Sequence, residues 1–356
     1  MAHRYGNELR FLVTRRKFFQ LTAFSTAGML AGYASGTSRA AIAAAKAPST
    51  IRAAFFVETK PTMIAKNQGW WEKATGAKFE WTEAASGAEV NTRMAARSVD
   101  VSFSIGSAPV AAGIAKGIPY QIVALVDNIG GGEDMVVRKS KNITKPDDFI
   151  GKKVATVFGS TSHFRLLGFL KVHNLTEKQV TVLDLGPEQA VAAWSRGDID
   201  ASYYWDPFKS KMLAMGGEPY VTYKELDAKG YVIADLIIVR TAFLREYPDA
   251  VTAIVREYGR AVDLWKSDPN KAAEIVAKEA GVTPDVAKRD MEAYDFVTLK
   301  GQLTSEWLGT PTHAGKFAGV LKSTADFLVT QKSIKSAPSS DVYMKAINTS
   351  FLQRAV

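Results

Sequence analysis

The chain has 356 residues, 47% of them hydrophobic and 23% charged, enough for two lobes of ordinary size and incompatible with a disordered chain. It contains no cysteine, which excludes disulfides, thiolate metal sites and cysteine nucleophiles. A formal charge of +9 invites a nucleic-acid or anionic-membrane partner, and where that charge sits decides the matter.

Most of it sits at the start. Residues 1–46 hold Arg4, Arg10, Arg15, Arg16, Lys17, Arg39 and Lys46 against Glu8 alone, six of the nine net charges. Thr14-Arg15-Arg16-Lys17-Phe18-Phe19 leads into a weakly apolar stretch from Leu21 to Tyr33, then into small residues ending at Ala43-Ala44-Ala45. This layout resembles a twin-arginine export signal; a basic amphipathic helix is the alternative. The apolar stretch is shorter than the roughly 20 residues a bilayer span needs. The expectation is a soluble chain exported to the periplasm and cut near residues 44–48. The remainder, close to charge balance, gives no reason to expect nucleic acid or stable membrane insertion.

Beyond the leader, short apolar runs alternate with amphipathic segments. Strands are expected at Ile51–Val57, Ala77–Thr82 and Val101–Ile105, with helices over Thr62–Thr75, Gly87–Ser98 and Pro109–Lys116. Strands at Gln121–Val126 and Met135–Val137 follow. A second series opens after Thr144: strand Lys153–Thr156, helix Ser162–His173, strand Val180–Leu183, helix Pro187–Ser195, strand Ala201–Tyr204. Strand and helix in alternation imply βα units around parallel sheets. From Tyr247 the pattern is helical, over Asp249–Lys266, Asn270–Glu279, Pro284–Ala293 and Thr312–Thr330. A short internal echo accompanies the repeated order: Arg97-Ser98-Val99-Asp100-Val101-Ser102-Phe103 and Gly197-Asp198-Ile199-Asp200-Ala201-Ser202-Tyr203 match at Asp, Ser and the aromatic position.

Several motifs occur in order along residues 50–330: Phe56-Val57-Glu58-Thr59-Lys60-Pro61, Ile105-Gly106-Ser107-Ala108-Pro109, Thr161-Ser162-His163-Phe164, Ala193-Trp194-Ser195-Arg196-Gly197-Asp198, Trp205-Asp206-Pro207 and Asp235-Leu236-Ile237-Ile238-Val239-Arg240. Together they resemble the taurine, alkanesulfonate and nitrate solute-binding family of ABC importers, and its taurine binders in particular. The resemblance implies an α/β, type II periplasmic-binding-protein fold: two βα lobes joined by two hinge-crossing strands, with a ligand cleft between them. On that reading residues 47–130 and 235–356 form lobe 1, residues 131–234 form lobe 2, and the crossings fall near Asp127–Arg138 and Tyr231–Arg240. It further implies a non-enzymatic monomer without cofactor or metal that takes taurine or a related aminosulfonate and hands it to a membrane permease. The other readings are a binder of a different small anion and a pyrimidine-precursor enzyme on the same fold, whose relatives use a cysteine-rich stretch.

Candidate ligand contacts follow from strand-to-helix loops, where ligands of α/β sheets collect. Ser107 and Ala108, and Thr161, Ser162 and His163, open helices whose free N–H groups and positive ends suit a sulfonate; plain N-capping is the bland alternative. Glu58 and Asp235 match the family's acidic positions and suit an ammonium, although a protein lysine or arginine would satisfy Asp235 equally well. Trp205 is placed to cover the ammonium by cation-π contact, with core packing as the alternative. Glu133 is either a further ligand contact or a turn residue beside a loose loop, Gly130-Gly131-Gly132. Lys60 and Arg165 are expected near the mouth, steering anions.

Overall fold

In the computed structural model, residues 46–356 are described; the expected leader, Lys46 apart, lies outside them. Two five-stranded sheets make the frame. The first contains β1 (Thr50–Phe55), β2 (Lys78–Glu83), β3 (Val101–Gly106), β4 (Tyr120–Asn128) and β10 (Ala234–Arg240), in the order β2-β1-β3-β10-β4. The second contains β5 (Glu133–Arg138), β6 (Lys153–Thr156), β7 (Thr181–Asp184), β8 (Ala201–Trp205) and β9 (Gly217–Tyr220), in the order β7-β6-β8-β5-β9. Strands β1, β2 and β3 pair in parallel, as do β6, β7 and β8, while β10 and β5 run antiparallel to both their neighbours. Each sheet thus takes its antiparallel strand from the segment that follows a crossing.

The helices cover these sheets. In the first part they are α1 (Pro61–Asn67), α2 (Trp70–Thr75), α3 (Gly87–Ala95) and α4 (Ser107–Ala115). With the second sheet come α5 (Thr161–Val172), α6 (Pro187–Arg196), α7 (Phe208–Ala214) and α8 (Tyr223–Ala228). After β10 the chain is mostly helical: α9 (Thr241–Glu246), α10 (Pro248–Ser267), α11 (Pro269–Ala280), α12 (Pro284–Met291), α13 (Leu299–Gln302) and α14 (Phe317–Thr330). The helix expected over Thr62–Thr75 is two helices, because Gly69 adopts φ +59° and turns the chain between them. The last long helix starts at Phe317 rather than Thr312: a small hairpin, Gly309–Ala314, with Pro311 in its turn, occupies the stretch before it. The edge of β4 is covered from the C-terminus, where Ile347 bridges Ile122 and the Asn348 N–H reaches the Ile122 carbonyl at 2.8 Å.

The sequence echo is a structural repeat. Asp100 and Asp200 each precede the third strand of their sheet. The Asp100 N–H donates to the Arg52 carbonyl and its Oδ2 accepts the Arg52 N–H; Asp200 makes both bonds with Lys153. Their carbonyls accept the N–H of Arg240 and of Arg138, both at 2.9 Å. Arg138 in β5 and Arg240 in β10 are therefore equivalent. Counting back along each strand makes Glu133 the counterpart of Asp235.

The crossing from β4 to β5 is one tight 3-10 turn, Gly130–Gly132. It is not loose. The Gly130 carbonyl accepts from Arg165 at 2.9 Å, Gly131 from Lys209 at 2.6 Å and Gly132 from the Tyr294 hydroxyl at 3.1 Å. A Cβ on Gly132 would collide with the Tyr294 ring, which is why a bare glycine is required there.

The two aspartates differ in their cations. Asp100, 3% exposed, holds both the Arg52 and Arg240 guanidinium groups, whereas Asp200 pairs with an exposed Lys141. Asp100→Ala is expected to lower unfolding free energy by about 2 kcal/mol or more, and Asp200→Ala by less, since exposed pairs contribute little. Urea denaturation of both variants checks the order.

Candidate functional site

The loops after β1, β3, β6 and β8 face a narrow cleft with a free volume of about 30 Å³. Its walls come from both halves of the fold: Glu58, Lys60, Ser104, Gly106 and Asp235 on one side, Glu133, Ser160, Thr161 and Trp205 on the other.

Lys60 follows β1 and stands in extended backbone immediately before Pro61, the first residue of α1. That conformation turns its side chain inward. Its Nζ lies 2.8 Å from Asp127, in ion-pair contact with Asp235, 3.6 Å from Glu58 and 4.6 Å from the centre of the Tyr294 ring. Asp127 is the second-last residue of β4 and Asp235, the second of β10, lies directly opposite it. Glu58 also accepts a 2.6 Å hydrogen bond from Thr62. Lys60, Glu58 and Asp127 are at most 2% exposed. Burial pushes the Glu58, Asp127 and Asp235 carboxyls up to about 7, against the pull of the single lysine. Burial pulls Lys60 down, but the surrounding carboxylates outweigh it and hold the ammonium well above its ordinary value.

Across the cleft, Glu133 opens β5 and pairs in register with Trp205 at the end of β8. Its Oε2 accepts from the Thr161 hydroxyl at 2.8 Å, and its Oε1 is buried with no hydrogen-bond partner. Burial raises its pKa, with Arg165 and Thr161 acting the other way. The Trp205 indole N–H donates to the Val57 carbonyl at 3.2 Å, a bond between the two sides of the cleft, and its ring meets Phe208 edge-on.

Two helix N-termini converge here. Gly106 is the N-cap of α4, and Ser160 caps α5 by accepting the His163 N–H at 3.1 Å. They are so close that a Cβ on Gly106 would lie 2.6 Å from Thr161 Cγ2. Ser104, one turn of chain earlier, has φ +59°. It lies where the β3–β10 register slips, a bulge that re-aims its side chain; the residue is 5% exposed and its hydroxyl stands beside Glu58, favouring that carboxylate.

Of the residues expected to touch a ligand, Glu58, Thr161, Trp205 and Asp235 line this cleft. Ser107, Ala108, Ser162 and His163 do not. Ser107 is fully buried and its hydroxyl accepts the Ala234 N–H at 3.3 Å. Ser162 is buried with an unpartnered hydroxyl. Ala108 and His163 line a neighbouring groove with Lys116, Phe164 and Ile334. His163 stacks on Phe158 at 4.4 Å, and burial pushes its pKa down to about 4. Lys60 and Arg165 are not at a mouth: both are buried, and Arg165 binds the Gly130 carbonyl, the Tyr231 carbonyl and Asp227. The protein lysine that stood as the other partner for Asp235 is Lys60. Sequence reasoning missed Asp127, although it carries the same mark as Asp235, a lone acid at one end of an apolar strand. It also missed Ser104, whose bulge leaves no local signal.

A profile of the NMT1-like family matches residues 44–280. The chain is 27% identical to the taurine-binding periplasmic protein of Escherichia coli (strain K12), over 85% of this chain and 92% of that protein. It is 30% identical to a putative aliphatic sulfonates-binding protein of the same organism, over 76% of this chain and 84% of that one. In three dimensions it resembles the alkanesulfonate-binding protein SsuA from Xanthomonas axonopodis pv. citri bound to MOPS, with a TM-score of 0.72 and 20% identity over 86% of this chain and all of that one. The two-sheet fold is thus that of periplasmic binding proteins. Among the described residues, no helix is long and apolar enough to cross a membrane.

Glu58, Asp127 and Asp235 hold protons more tightly folded than unfolded, where a carboxyl titrates near 4. Folding therefore takes up protons between about pH 4 and 7, and stability falls as pH rises through that window, by about 1.4 kcal/mol per pH unit for each proton. Carboxyls held low, such as Asp100, act below it, and His163, held down at about 4, offsets one of these protons below about pH 6.5 without reversing the sum. The urea midpoint is expected to drop from pH 5 to 7.5, and Asp127→Asn to flatten the slope; a wild-type midpoint that rises over this range contradicts the assignment.

Proposed function

This chain belongs to the NMT1-like family, and on that premise we propose that it is the extracytoplasmic solute-binding protein of an ABC importer, closing around taurine or a related aminosulfonate. The observation that carries the reading is the meeting of α4 and α5, one N-terminus from each half, at a cleft whose walls also carry the carboxyls of Glu58, Glu133 and Asp235. Helix N-termini attract an anion through free N–H groups and the macrodipole, and acids attract an ammonium. A zwitterion with a sulfonate at one end and an amine at the other satisfies both. The similarity to a taurine-binding and a sulfonates-binding protein supports the same choice.

The mechanism is closure. Residues 47–130 with 235–356 act as one lobe and 131–234 as the other, moving about the Gly130–Gly132 crossing and the segment before β10. A ligand touching both lobes favours the closed form by its differential contacts. The Trp205–Val57 bond and the Gly106–Thr161 approach are closed-form contacts in this scheme. The closed protein docks on the permease, and the leader carries the chain to the periplasm before removal. A simple alkanesulfonate is the second reading, because Lys60 already faces the acids that would otherwise receive the amine.

Calorimetry of the protein lacking residues 1–45 against taurine, ethanesulfonate and longer alkanesulfonates tests this. Tightest binding of taurine is expected; absence of binding to every sulfonate overturns the proposal. Gly106→Ala puts a methyl group against Thr161 where the halves meet, and is expected to weaken taurine binding by about tenfold, roughly 1.4 kcal/mol, without lowering the thermal midpoint of the free protein.

A further inference from the structure

The fold contains two equivalent acid positions, and among the described residues only one of them is in ion-pair contact with a cation. Arg138 and Arg240 are matched by their hydrogen bonds to Asp200 and Asp100, so Glu133 in β5 and Asp235 in β10 are counterparts on the two crossing strands. Asp235 is neutralised from within: Lys60 Nζ sits among Asp235, Asp127 and Glu58 and over the Tyr294 ring. The ammonium donates to Asp235 and stands in ion-pair contact with Asp127 and Glu58, with the Tyr294 ring on a further side. A second ammonium at the same carboxylates would lie against Lys60.

Glu133 has no such partner. Among the described residues no basic side chain lies within 4 Å of its carboxylate, and the Arg165 guanidinium beside it is spent on the Gly130, Tyr231 and Glu133 carbonyls and on Asp227. Glu133 is 2% exposed and lines the cleft; its Oε1 makes no well-aligned hydrogen bond, with the buried Ser162 hydroxyl and the Arg165 guanidinium nearby to favour its charge. A buried acceptor without a donor is costly, and a ligand donor removes that cost. The residue directly across the strand pair is Trp205, also in the cleft wall. A carboxylate beside an indole face is a fitting receptor for an alkylammonium group.

We propose that the ligand's amine is received by Glu133 and Trp205, while Lys60 acts as a built-in ammonium that fills the Glu58–Asp127–Asp235 seat. The proposal rests on the reading of the chain as an aminosulfonate binder and specifies which acid selects the amine. Glu133 is the specificity-determining residue, and Glu58 is chiefly a partner of Lys60 and Thr62.

Calorimetry of Glu133→Gln against taurine and ethanesulfonate tests it. The amide keeps an acceptor for Thr161 and removes the charge. Taurine affinity is expected to fall at least about tenfold, while ethanesulfonate affinity holds or improves because a negative group near the sulfonate has gone. An equal change for both ligands, or no change for taurine, overturns the assignment. A crystal structure of the wild-type protein with taurine gives a second measurement that needs no variant: the nitrogen is expected within hydrogen-bond reach of Glu133 Oε1, and a nitrogen on Glu58 or Asp127 overturns it. Failure of the wild type to bind any sulfonate rejects the aminosulfonate reading itself. Tight taurine binding that is indifferent to Glu133→Gln rejects only the seat proposed here.

Discussion

One buried ammonium constrains the cleft. Glu58, Asp127 and Asp235 come from three separate parts of the chain, and in a water-poor pocket three carboxylates without a cation would not stay ionised. Lys60 makes them tolerable, though not fully: one positive charge faces three carboxyls, and their pKa values rise accordingly. The sheet order follows from the same requirement. Asp127 and Asp235 become neighbours because β10 lies antiparallel between β3 and β4. The loop after β1 then delivers Lys60 and Glu58 to the same point. Topology and electrostatics here are one constraint seen twice.

A second consequence of that topology is how the chain passes between the sheets. A strand inserted from the far side needs a crossing, and a crossing exposes backbone that no ladder pairs. Between β4 and β5 the three glycine carbonyls are instead taken by Arg165, Lys209 and Tyr294. Arg165, expected from the sequence to steer ligands, is buried for this reason: its charge holds the crossing in place. Tyr294 serves both features, with its hydroxyl on Gly132 and its ring under Lys60. The crossing and the ion cluster therefore share a side chain.

Much of this was legible in the sequence. Periodicity located most of the strands of both sheets, and the Asp100 and Asp200 echo marked a repeat that the hydrogen bonds match partner for partner. Thr161, at a strand-to-helix loop, and Glu58 and Asp235, at acidic positions matched by the family resemblance, line the cleft together with Trp205. What remained hidden depends on three-dimensional pairing. Strand β9 is short and carries Pro219 on a sheet edge, so it lacks an alternating pattern. Ser104 looks like any strand residue until the register slip is seen. Ser107 and His163 have the right types at the right helix ends, but their side chains turn to Ala234 and Phe158 instead of the cleft. Lys60 reads as a loop lysine because a sequence does not reveal that its three counter-ions arrive from β1, β4 and β10.

The repeat makes the difference between its halves informative. Every member of the Lys60 cluster belongs to the first part of the fold or to its return after β10, so these ion pairs do not cross the cleft. They stiffen one wall and leave its affinity for the other wall unchanged. Glu133 stands on the opposite wall, beside Trp205, whose indole N–H does cross to Val57. With the walls apart, water can hydrate the Glu133 carboxylate; brought together, it keeps Thr161 and loses a partner for Oε1. The closed form without ligand thus carries an unpaired buried acceptor, and a ligand with a donor at that point removes it. Only a differential contact of this kind can shift the balance between open and closed forms. In the proposed scheme, the asymmetry between Asp235, in ion-pair contact with Lys60, and Glu133, with no ion-pair contact of its own, would let the ligand's amine rather than the protein's decide when the cleft closes.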